Sequence, residues 1–192
     1  MNTGIKKIAE SAMLIAIGTV LSLLTFKGPW ALGGGITFCS MLPLVILAQR
    51  YGTKWGILTS LIFSILQIFL GLNNVQYAPT ALSAAGIVLF DYILAFTAIG
   101  FSASFNKLIK NRLSAIIVGI VVTFLVRFLC HFISGLIIWE VIFPNELGWA
   151  PPVWSLAYNA SYMIPEILIT SIVAFISFKP LKRYWLSEDK TA

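Results

Sequence analysis

Charge is scarce in this 192-residue sequence: Asp, Glu, Lys and Arg make up 10% of it, while 59% is hydrophobic. An average soluble domain carries about 25% charge. Too few charged side chains are present to coat a globule of this size, so the excess apolar surface calls for lipid. This excludes a soluble enzyme, a disordered tail and a coiled coil. Cysteine is nearly absent: Cys39 and Cys130 both lie in apolar runs and read as small packing residues, which excludes a disulfide framework. Histidine is rarer still. With His131 alone, no Cys/His cluster suggests a metal. The 14 glycines follow no G-X-Y period, so collagen is excluded. No GxxxxGK[ST] loop is present, so the chain is not expected to hydrolyse ATP itself.

Long apolar runs are abundant. A transmembrane helix needs about 20 mainly apolar residues. Candidate spans lie at 8–26, 37–50, 54–71, 80–104, 114–139 and 155–179. The second is short, with Pro43 near its start. The N-terminus resembles a signal peptide for a few residues, but its apolar run continues without an obvious A-x-A site, and it reads as a first helix. The runs are continuous and do not alternate, so barrel strands are not supported. The expectation is an all-α integral membrane protein, a six-transmembrane-helix bundle forming one domain over 1–192, without linker or internal repeat.

The net charge of +6 invites a nucleic-acid reading, but the placement of the charges argues against nucleic acid as a partner. Lys6, Lys7, Arg50, Lys54, Lys107, Lys110, Arg112, Lys179, Lys182, Arg183 and Lys190 all fall on one side of a six-span model. That is 11 of the 13 basic residues. Lys27 is on the other side, and Arg127 is inside span 5. Basic loops mark the cytoplasm, so both termini are expected there. The outer loops instead hold Gly, Pro, Asn and Trp. Trp30, Trp149 and Trp154 read either as interfacial belt residues or as parts of a lid and walls over a pocket open to the outside.

Four ionisable residues interrupt the spans: Asp91, Arg127, His131 and Glu166. A charge at the bilayer centre costs about 2.5–3.5 kcal/mol on insertion scales, and such residues face the bundle interior. Two readings stand for Asp91 and Arg127: parts of a site, or a structural ion pair locking span 4 to span 5. Arg127, His131, Gly135 and Trp139 recur at four-residue steps and share a stripe of span 5. Asn159, Tyr162 and Glu166 share one of span 6. Asp91 and Tyr92 lie about 11 residues below the outer loop, roughly 16 Å deep at 1.5 Å per residue. A carboxylate, an imidazole and aromatic faces suit a small, flat, cationic or amphipathic heteroaromatic ligand. Gly135 would leave it room, and Trp139 offers a face for stacking. No nucleophile–base–orienter set is evident, which argues against an enzyme.

The runs FDYILAFTAIGFS (90–102), VRFLCHFISGLIIW (126–139) and PVWSLAYNASYMIP (152–165) resemble the thiamine-specific S-component family (ThiT/YuaJ). GGGITFCSMLP (33–43) and RYGTKWG (50–56) extend the similarity over nearly the whole chain. S-components are the substrate-binding subunits of energy-coupling factor (ECF) vitamin transporters. The resemblance implies an S-component-like fold in the plasma membrane and a binding site made by Asp91, Tyr92, His131, Gly135, Trp139 and Asn159. It adds Trp30 from the first outer loop, Trp154, and Tyr77 from the second outer loop. Some members have Glu at the position of Asp91 and Tyr at that of Trp154. Thiamine is then the transported ligand and no cofactor is implied. The partners implied are a transmembrane coupling subunit and two ATPases, docking on the small residues Ala12 and Ala16 of span 1. Ordinary helix packing also uses such residues. Other readings remain open: an S-component for another small heteroaromatic vitamin, a solitary proton-coupled thiamine transporter, and a membrane-embedded enzyme.

Overall fold

The computed structural model describes residues 3–26, 28 and 34–187. The chain begins with helix α1 (Thr3–Leu23). A two-residue strand β1 (Thr25–Phe26) pairs antiparallel with β2 (Ile36–Thr37), in the register Thr25↔Thr37 and Phe26↔Ile36. This pairing holds together the two ends of the segment between α1 and the next helix. Helix α2 (Leu42–Tyr51) carries Pro43 in its first turn, where a missing N–H leaves no bond unmade. It stops at Gly52, whose φ of 85° is a glycine conformation, and the chain turns directly into α3 (Thr53–Leu70).

A single-turn helix α4 (Leu72–Val75) leads to α5 (Ala81–Lys107), which is capped by the Thr80 hydroxyl accepting from the Ser83 N–H at 3.1 Å. Helix α6 (Arg112–Ile142) is capped likewise by the Asn111 side chain, which accepts from the Ser114 N–H at 3.0 Å. Two prolines open α7 (Pro151–Phe178), and a short α8 (Lys182–Trp185) ends the described chain.

Four of these helices, α3, α5, α6 and α7, are long and apolar enough to cross a membrane. The large apolar side chains they leave exposed, such as Leu125, Leu129, Leu168, Ile172 and Phe175, face outward. Water would penalise that surface and hydrocarbon would not. This is a multi-pass membrane protein. Helix α1 is long enough but bears Lys6, Lys7 and Glu10 in its first turns. The predicted span 37–50 is only partly helical: its ten-residue helix α2 is about 15 Å long, half a bilayer core. Residues 36–37 are spent in the strand pair instead.

Helix α2 lies in the centre, with Leu44, Val45, Leu47 and Ala48 fully buried. The helices around it meet backbone to backbone. A methyl group on Gly100 of α5 would come within 2.4 Å of the Ile57 nitrogen on α3, and one on Gly119 of α6 within 2.2 Å of the Ser102 carbonyl oxygen on α5. Small residues thus let polar backbones approach where no hydrophobic effect drives helices together.

At the end of the bundle that carries the basic loops, Arg50 is buried. Its guanidinium pairs with Glu10 of α1 at 3.0 Å and packs over the Tyr184 ring of α8 at 4.0 Å. The Tyr51 hydroxyl donates to the same Glu10 carboxylate at 2.5 Å. One buried cation therefore ties α1, α2 and α8 together.

Candidate ligand-binding site

At the opposite end, α5, α6 and α7 surround a cavity of about 180 Å³. The two helices bearing its central polar groups are both irregular there. Val88–Leu94 of α5 and Gly135–Trp139 of α6 are π-helical, a distortion that recurs at functional sites. In α6 the Glu140 N–H reaches the Gly135 carbonyl five residues back. The wider turn brings Trp139 round to the face that His131 and Ser134 already occupy.

All three of those α6 residues converge on Asp91. Its Oδ1 lies 3.1 Å from His131 Nδ1. Its Oδ2 accepts from the Ser134 hydroxyl at 2.8 Å and from the Trp139 indole N–H at 2.9 Å. A carboxylate in an apolar setting needs such donors. Asp91 therefore does not pair with Arg127. Arg127, one turn deeper on α6, faces α7. Its Nη1 is 3.5 Å from the Glu166 carboxylate and 3.1 Å from Met163 Sδ, and its guanidinium lies 4.9 Å from the centre of the Phe96 ring. Glu166 is fully buried and also accepts from the Thr37 hydroxyl of β2. The structural ion pair thus exists, but it locks α6 to α7.

The walls are aromatic. Trp139 stacks on Phe143 with centroids 6.4 Å apart and planes 11° from parallel. Along α7, Trp154, Tyr158 and Tyr162 follow at four-residue steps, with successive centroids 5.6 and 6.2 Å apart. The Tyr162 hydroxyl donates to Asn159 Oδ1 at 2.5 Å, and Asn159 Nδ2 donates to the Ser155 carbonyl at 2.8 Å. Gly34 abuts the Tyr162 ring so closely that a Cβ there would stand 2.7 Å from it. Tyr92 turns its hydroxyl away towards α4, donating to the Gly71 carbonyl at 3.1 Å and accepting from Asn74 Nδ2 at 3.2 Å.

Asp91, Tyr92, His131, Gly135, Trp139, Trp154 and Asn159 all line this one cavity. Tyr77 does not; it packs edge-on to the lining residue Phe143, with centroids 5.3 Å apart. Trp30 lies outside the described residues. Gly135 does more than leave room: a Cβ there would be 2.3 Å from the Ser155 hydroxyl oxygen, so α6 and α7 touch at this point. Sequence reasoning missed Tyr158, Phe143, Glu140, Phe96, Ser155 and Asn74 as lining residues. The four-residue step from Trp154 through Tyr158 to Tyr162 was a usable signal. Nothing local distinguishes Phe143 or Phe96 from core. Ala12 and Ala16 do not line the cavity; they lie on an exposed face of α1 beside Met13 and Ile17.

Comparison with known proteins gives a consistent result. The family model described as thiamine transporter protein (Thia_YuaJ) matches residues 8–185. The thiamine transporter ThiT of Bacillus subtilis (strain 168) is 32% identical over 199 residues, covering 96% of this chain and 95% of that one. Two solved structures share the fold. ThiT from Listeria monocytogenes superposes with a TM-score of 0.75 at 22% identity, over 96% of this chain and 99% of its own. The S component of a bacterial ECF transporter superposes with a TM-score of 0.66 at 18% identity, over 95% and 98%. The chain belongs to the thiamine transporter protein family, a family of membrane transporters and not of enzymes.

Proposed function

We propose that this protein is the thiamine-binding S-component of an ATP-driven vitamin uptake system in the plasma membrane. It takes thiamine from the outside into the cavity between α5, α6 and α7. The observation that carries this reading is the Asp91 carboxylate, held by three donors of α6 beside the stacked rings of Trp139 and Phe143. Thiamine combines a cationic thiazolium with a flat aminopyrimidine. A fixed anion meets the first, and aromatic faces meet both. Tyr92, His131, Gly135, Trp154 and Asn159 complete the binding surface, and Tyr77 backs it through Phe143.

In this reading six segments belong to the membrane domain. Helix α1 spans with its Lys-rich end in the cytoplasm, α2 is a buried half-span, and both termini are cytoplasmic. The 11 basic residues on one side support that orientation. No cofactor takes part. The energy comes from two ATPase partners acting through a transmembrane coupling subunit, which docks on α1 at Ala12 and Ala16. Both residues are exposed there, which leaves room for a close helix approach.

Proteoliposomes test the reading. Thiamine uptake is expected only with the coupling module and ATP, and Ala16→Trp should abolish uptake while leaving affinity unchanged, because distant sites act independently. Uptake by the chain alone, driven by a proton gradient, would overturn the S-component assignment.

A further inference from the structure

The chain carries a net charge of +6, yet the cavity has the opposite sign. Its charged lining residues are Asp91, Arg127 and Glu140. Arg127 is matched by the buried Glu166, so two carboxylates remain in surplus among the described residues. They are not equivalent. Asp91 has both oxygens engaged by donors of α6. Glu140 has one oxygen engaged: its Oε1 accepts from the Asn145 backbone N–H at 3.3 Å and from Asn145 Nδ2 at 3.0 Å. No hydrogen bond or ion pair among the described residues reaches Oε2.

Asn145 also holds the loop that follows. Its Nδ2 donates to the Trp149 carbonyl at 3.0 Å, and its Oδ1 accepts from the Trp149 N–H at 3.0 Å. Trp149 in turn packs edge-on to the cavity residue Trp154. The carboxylate is thus clamped at one oxygen and open at the other. It belongs to the last turn of α6, nine residues outward of His131 and roughly 13 Å along the axis at 1.5 Å per residue. The negative end of the α6 dipole adds to it there. No basic residue occurs between Glu140 and Trp154 to offset this field.

We propose that Glu140 is an electrostatic capture residue: its open carboxylate oxygen at the outer end of the cavity attracts the cationic ligand and hands it inward to Asp91. This rests on the thiamine reading above and adds to it a first electrostatic station. Charges at the rim of a binding site act mainly on the association rate, and their effect falls with salt.

The test is stopped-flow Trp fluorescence with thiamine as the probe, over a NaCl series, on the wild type and Glu140→Gln. The glutamine keeps an acceptor for Asn145 and removes the charge. The association rate of the variant should fall about 3- to 10-fold at low salt, with the gap closing near 1 M NaCl, where screening lengths are about 3 Å. The dissociation rate should change less. Equal association rates at low salt would overturn the proposal. So would a loss that persists unchanged at 1 M NaCl, which would make Glu140 a structural part of the loop. Failure of the wild type to bind thiamine would instead overturn the functional reading beneath it.

Discussion

The indole N–H of Trp139 donates to the carboxylate of Asp91 across 2.9 Å, joining the aromatic wall of the cavity to its anion. The bond fixes the ring plane and the carboxylate together, so the stacking face and the counter-charge are positioned as one unit before any ligand arrives. Preorganisation of this kind lowers the ordering cost of binding.

Asp91→Asn should weaken thiamine binding by roughly 1.5–3 kcal/mol, the range for a hydrogen bond to a charged group. Asp91→Glu should retain much of the affinity. Titration and thermal melting on the same preparation separate lost binding from lost folding. Normal affinity in the folded fraction of the Asn variant would show that Asp91 only braces α6.

Arg127 and Glu166 form a buried pair between α6 and α7. Removing one partner of such a pair leaves an uncompensated charge and costs about 3–5 kcal/mol. Arg127→Met should therefore melt well below the wild type in detergent. Adding Glu166→Leu should restore much of the loss, since a well-packed apolar pair often replaces a buried ionic one. A double variant no better than the single one would mean that the pair is not the unit of stability.

Gly135→Ala places a methyl group against the Ser155 hydroxyl, which itself donates to the Phe132 carbonyl at 2.8 Å. Overpacking of this sort typically costs about 1–3 kcal/mol, and thiamine affinity should fall as α6 and α7 separate. Ser155→Ala in the same chain removes the clashing oxygen and should recover most of the loss. Thermal melts of the three variants measure it directly.

Orientation is open to labelling. In a background lacking Cys39 and Cys130, a cysteine at Lys110 should react only from the cytoplasmic side, and one at Leu147 only from outside. Both positions are exposed. External labelling of both would contradict the charge-based topology.

Much of this was legible in the residues because lipid is a demanding solvent. Asp91, Arg127, His131 and Glu166 stood out against apolar runs, and four-residue spacing placed His131, Gly135 and Trp139 on one stripe. Other features depend on non-local contacts. Residues 37–50 have the hydropathy of a span, but hydropathy reports transfer and not backbone geometry; the pairing of Ile36–Thr37 with Thr25–Phe26 and the φ of 56° at Cys39 shorten the helix to Leu42–Tyr51. Asp91 is the partner that the sequence suggests for Arg127, but the packing of α6 against α7 pairs Arg127 with Glu166 instead. The π turns carry no residue signature. Glu140 reads as loop in the sequence, whereas α6 continues past the π turn to Ile142.

The most direct test of the central claim is a thiamine titration of the purified protein in detergent, followed by Trp fluorescence. Trp139 and Trp154 line the cavity, so saturable quenching by thiamine is predicted, with riboflavin, folate and biotin unable to compete. No quenching by thiamine, or tight binding of one of the other three in its place, would contradict the account.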